Sequence, residues 1–73
     1  MRSNAHWYNV TAFDERKDFY GEHRVTFKLH MDIDNYNDIK TAREIALNKI
    51  YADEAVTYED IKLAAIVMNF SRQ

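Results

Sequence analysis

The sequence predicts an α+β domain of β-β-α-β order, a three-stranded antiparallel-type sheet with one helix packed on one face. Three stretches predict it. Arg24 to Ile33 alternates strictly, with Val25, Phe27, Leu29, Met31 and Ile33 set against Arg24, Thr26, Lys28, His30 and Asp32, which is the two-residue period of a half-buried strand. His6 to Phe13 is rich in aromatic and β-branched residues, the composition of a pleated surface. Downstream, apolar residues recur at helical spacing behind a cluster of capping side chains.

In the first strand Tyr8, Val10 and Ala12 share one face, and Trp7, Asn9, Thr11 and Phe13 the other. A polar connection, Asp14 to His23, follows with Glu15, Arg16, Lys17, Asp18 and the single glycine, Gly21. It reads as the long tip of an antiparallel hairpin. After the second strand, Asp34, Asn35, Asn37 and Asp38 are suited to capping a helix from about Asp38 to Tyr51. Ile39, Ala42, Ile45, Ala46, Lys49 and Ile50 form its inward stripe, while Lys40, Arg43, Glu44 and Asn48 face outward. The alanines let such a helix lie close to a sheet.

The tail from Thr57 to Phe70 fits two patterns. As a helix, Thr57 and Asp60 resemble a capping box, and Tyr58, Ile61, Ala65 and Met68 keep a helical spacing. As a strand, Ile61, Leu63, Ala65 and Val67 face one way, and Lys62, Ala64, Ile66 and Met68 the other. The strand is preferred because two strands make a marginal sheet. The Ile66-Val67 pair also suits a pleated surface better than a helix.

At 73 residues the chain has room for one domain, 1–73. Its 47% hydrophobic content argues for a packed core, and without cysteine no disulfide or thiolate metal site supports that core. Ten Lys and Arg against twelve Asp and Glu give a net charge of -2, opposite in sign to the footprint of generic DNA coating. No apolar run reaches the roughly 20 residues of a membrane span, and Met1 to His6 lacks the apolar core of a signal peptide. Cytoplasmic residence without membrane contact is the expectation.

Chemistry-bearing patterns are sparse. His30 and Asp32 share the polar face of the second strand, but no HxH, HExxH or cysteine accompanies them. Counted as a calcium loop from Asp32, the required glycine is Asn37 and the bidentate glutamate is Arg43, so the acids read as helix caps. Ser3 and Ser71 sit near the termini, and neither Thr11 nor Thr26 has an evident base. The reading is of a non-enzyme without cofactor, metal or small-molecule substrate.

Binding remains. If the tail is a strand, Trp7, Phe13, Ala64, Ile66 and Met68 fall on the sheet face away from the helix, an apolar area fit for a second copy or a host protein. The hairpin tip adds Arg16, Phe19, Tyr20 and Arg24, residue types common at interface hot spots. The alternative is an RNA-binding or antitoxin-like module. It would use Trp7 and Phe13 for stacking, with Arg24, Lys28 and His30 alongside.

The strand bearing Trp7, the long hairpin, the alternating strand, the helix stretch TAREIALNKI with its Ala42-x-x-x-Ala46 pattern, and a terminal strand together resemble small early proteins of tailed bacteriophages. The short inhibitors of bacterial RNA polymerase are among these. The resemblance is one of layout and size over most of the chain, with no single position matched. It implies an inhibitor or adaptor that binds one host protein in the host cytoplasm, without implying the polymerase as target.

Overall fold

A computed structural model of the chain describes residues 4–17, 24–52 and 65–73. Among the described residues four elements follow in the expected order: β1 (His6–Asp14), β2 (Arg24–Met31), α1 (Tyr36–Ile50) and β3 (Ile66–Arg72). The sheet has the order β2-β1-β3, with both neighbours antiparallel to β1. Among the described residues no helix is long and apolar enough to cross a membrane.

β1 takes the middle because its alternation supplies the residues that both neighbours need. Val10 sits between Phe27 of β2 and Phe70 of β3, and the small Ala12 between Val25 and Met68. Tyr8, Val10, Ala12 and Met31 are buried on the face that α1 covers. The helix brings Ala42, Ala46 and Leu47 onto them, and the two alanines leave no side-chain bulk to hold it away. One apolar cluster joins Tyr8, Val10, Met31 and Ala42, with Phe27, Leu29, Ile39, Met68 and Phe70 packed around it. A second joins Leu47 and Tyr51 with Ile50 and Ile66.

Several boundaries shift for identifiable reasons. β2 stops at Met31, two residues short of the predicted Ile33. There the Asp32 side chain accepts the Asp34 N–H at 2.9 Å, the Asp32 carbonyl accepts the Asn35 N–H at 3.0 Å, and the turn leaves Ile33 exposed. Of the four candidate caps, Asn35 is the one used. Its side chain accepts the Asn37 and Asp38 N–H groups at 2.9 and 3.3 Å, so α1 begins at Tyr36 instead of Asp38. The helix's inner stripe turns accordingly: Leu47 is buried, Arg43 is half-buried and Lys49 is exposed.

The larger correction concerns the tail. Positions 57–64 lie outside the described residues. From Ile66 onward the chain is a strand as preferred, but its faces are opposite to those expected. Asp14 pairs with Ile66, Ala12 with Met68 and Val10 with Phe70, so Ile66, Met68 and Phe70 turn towards the helix. Val67, Asn69 and Ser71 face away. The choice follows from burial, because three large apolar side chains on one side against one valine and two polar residues on the other fix which side seeks the core.

Candidate binding face of the sheet

The face of the sheet opposite α1 is set by register. From β1 it carries Trp7, Asn9, Thr11 and Phe13. Opposite them on β2 stand His30, Lys28, Thr26 and Arg24, and on β3 Ser71 pairs with Asn9, Asn69 with Thr11 and Val67 with Phe13. Its two aromatic residues occupy opposite ends of the middle strand, six positions apart, which at about 3.4 Å per residue is roughly 20 Å.

Each aromatic has a partner across the β1–β2 ladder. The Trp7 and His30 rings lie 5.3 Å apart at 51°, and Trp7 remains 54% exposed. The Arg24 guanidinium lies 4.5 Å from the centre of the Phe13 ring, a cation–π stack. Between the two pairs, Asn9, Thr11, Thr26, Phe27 and Lys28 line an open depression of about 420 Å³. Trp7 stands opposite His30 of β2 in the register, and its carbonyl accepts the Gln73 N–H at 3.0 Å on the β3 side. Beside it, the Arg72 guanidinium donates to the His6 ring at 3.1 Å.

Among its paired residues this face holds the charges of Arg24 and Lys28, with His30 alongside and no carboxylate, although the chain as a whole carries a net -2; the exposed Glu15 follows one step beyond β1. Two of the described acids are engaged away from this face. Asp32 and Asp38 knit the end of β2 to the helix start, where the Asp38 carboxylate accepts the Asp32 N–H at 2.8 Å. Among the described residues no group of three or more His, Asp or Glu is placed to hold a metal ion.

Of the residues singled out from sequence, the fold brings Trp7, Phe13 and Arg24 together on this face. Ile66 and Met68 do not belong to it, being packed under the helix. Phe19 and Tyr20 lie outside the described residues. Arg16 stands at the hairpin root, with its Nε 3.4 Å from an Asp14 carboxylate oxygen.

That Asp14 carboxylate is the residue the sequence reading overlooked. It continues the inward alternation Tyr8, Val10, Ala12, and it is fully buried. It accepts the Tyr51 hydroxyl and, at 2.9 Å, the Arg16 backbone N–H. Burial works against its charge, but the hydrogen bonds from Tyr51 and Arg16 prevail and hold the carboxyl below its ordinary range. Burial, and then the adjacent carboxylate, push the Tyr51 hydroxyl above its ordinary value. Lys17 places its ammonium 4.8 Å from the Tyr51 ring centre, and the Glu15 N–H donates to the Ala65 carbonyl at 2.8 Å. The cluster therefore ties together the hairpin root, the helix end and the start of β3. An inward carboxylate at the end of an otherwise apolar strand face was the signal that would have revealed it.

No protein-family model matches this sequence, and no curated protein or solved structure similar to it was found.

Proposed function

We propose that the chain is a non-enzymatic binding module that holds a single-stranded nucleic acid, RNA foremost, against the open face of its sheet. One observation carries the reading. Two aromatic side chains, each paired across the ladder with a basic residue, bracket a polar floor that contains Lys28 and, among the described residues, no carboxylate. Aromatic rings and guanidinium planes stack on bases of any sequence, and a cation-bearing groove follows the phosphates. The turning of Ile66 and Met68 into the core supports the same choice, since it takes from this face most of the apolar area that a purely hydrophobic contact would use.

Trp7 is the sole tryptophan, so its fluorescence reports from the proposed site. Titration with RNA and DNA oligonucleotides should quench it, and the affinity should fall steeply as salt rises. Absence of quenching at low salt overturns the reading.

A second reading rests on a different observation. Among the described residues the exposed large apolar side chains are Trp7 at the start of β1, Ile33 in the turn after β2 and Tyr36 at the start of α1, and Trp and Tyr are hot-spot residue types. These side chains support binding to a host protein or a second copy, as for a phage-type inhibitor. Such a contact responds little to salt, which separates it from the first reading.

A further inference from the structure

We propose that the open face is a two-ended stacking site with a footprint of about four nucleotides, the strand running along β1 from Trp7 to the Phe13–Arg24 stack. The proposal rests on the nucleic-acid reading above and adds to it a length and two anchor points. The platforms are fixed on one strand, six residues and roughly 20 Å apart. A nucleic-acid strand advances about 3.4 Å per nucleotide in a duplex and roughly twice that when its bases splay onto a protein, so the span takes about three steps.

The two ends differ. At one, the indole of Trp7 leans on His30 and keeps more than half its surface exposed, free to receive a base. At the other, the Arg24 guanidinium lies 4.5 Å from the Phe13 ring centre, so a base stacking at this end meets an aromatic ring and a cation together. Between them the Asn9–Lys28 and Thr11–Thr26 pairs form the depression. Lys28 supplies the central positive charge for a phosphate, and the threonines and asparagine supply donors and acceptors without sequence bias.

Oligoadenylate RNAs of two to eight nucleotides, titrated into the whole protein with Trp7 fluorescence as the readout, test this. Affinity should climb steeply up to about four nucleotides and only slowly beyond. Phe13→Ala should weaken tetranucleotide binding by at least about fivefold, the loss expected for one stacked base, while the quenching at saturation stays unchanged because the Trp7 end is still engaged. Circular dichroism checks folding, and Arg24→Ala repeats the test should Phe13→Ala fail to fold. Quenching with affinity that rises evenly to eight nucleotides, or full tetranucleotide affinity in a folded variant, overturns the footprint while leaving nucleic-acid binding in place. No quenching by any length overturns both.

Discussion

The hydroxyl of Tyr51 donates to the carboxylate of Asp14 across 37 positions of sequence, closing the end of α1 onto the end of the middle strand. Both side chains are buried, so neither exchanges this bond for one to water. Removing the hydroxyl with Tyr51→Phe leaves a buried charge short of a donor, at a cost of about 1.5–3 kcal/mol. In a domain of this size the melting temperature should fall by roughly 10 °C. Asp14→Ala should cost at least as much, because it also strands the Tyr51 hydroxyl and the Arg16 N–H. Thermal melts followed by circular dichroism decide it, and an unchanged midpoint in either variant would show the bond to be dispensable.

The same pair sets a pH signature. The carboxyl of Asp14 titrates lower in the folded chain than in the unfolded one, so its contribution is fully present above about pH 4 and is lost as pH falls through the folded value. Tyr51 titrates higher when folded, so its contribution holds below about pH 10 and is lost as pH rises through the raised value. The stability gap between the wild type and Asp14→Asn should therefore be level near neutrality and narrow below about pH 4. Tyr51→Phe should remove part of the alkaline loss. Urea midpoints across pH measure both, and a gap that widened in acid would contradict the sign.

Asn35 is the next point of leverage. Its side chain accepts two N–H groups of the first turn of α1. Asn35→Ala should cost about 1 kcal/mol and Asn35→Asp almost nothing. Both should leave the open face unaltered, so a change in ligand binding by either would place this turn in the binding surface.

Charge scanning along β3 separates the two faces. Met68→Asp puts a carboxylate against the cluster around Val10 and should cost about 2–4 kcal/mol, a large share of the roughly 4–11 kcal/mol typical for a chain of this length. Asn69→Asp, one residue on and facing away, should leave the melting temperature within about 3 °C, because exposed substitutions stay within about half a kcal/mol. Proteolysis and melting of the two variants check the assignment, and equal destabilisation would contradict the register.

These faces also mark how far sequence reading reaches. Alternation in Arg24 to Met31 and the Ala42–Ala46 helix are local patterns, and local patterns declare their own element type. They do not say which way a tail strand will face. That depends on its register with β1, a contact between residues more than fifty positions apart, and both parities of the tail carried apolar residues. Part of the answer was present all the same, since Asn69 and Ser71 alternate with Phe70 and would have marked the polar side. Asp14 was hidden differently. In a polar connection one acid among several looks solvated, and only the strand's continuation by one residue turns it inward to Tyr51. Of the candidate site, Trp7, Phe13 and Arg24 were legible because β1 and β2 are joined by a hairpin, which fixes their pairing, whereas Ile66 and Met68 were assigned from the undetermined parity.

Trp7 is where fold and proposed function separate most cleanly. Its backbone is locked between β2 and the end of β3, so the platform's position does not depend on its side chain. The indole is 54% exposed and its described ring contact is His30, itself exposed. Trp7→Ala should consequently shift the melting temperature by only a few degrees, in line with loss of one exposed contact. If Trp7 stacks on a base, the variant should lose about 1–3 kcal/mol of affinity, measured by anisotropy of a labelled oligonucleotide since the intrinsic fluorophore is gone. Trp7→Phe should recover much of that loss by keeping a ring. Lys28→Ala should behave differently, lowering affinity at low salt while flattening the salt dependence by about 0.7 of a log unit per log unit of salt, the signature of one lost phosphate contact on a single strand. An affinity unmoved by Trp7→Ala, or a salt slope unmoved by Lys28→Ala, would remove the open face from the binding surface and transfer the argument to Ile33 and Tyr36.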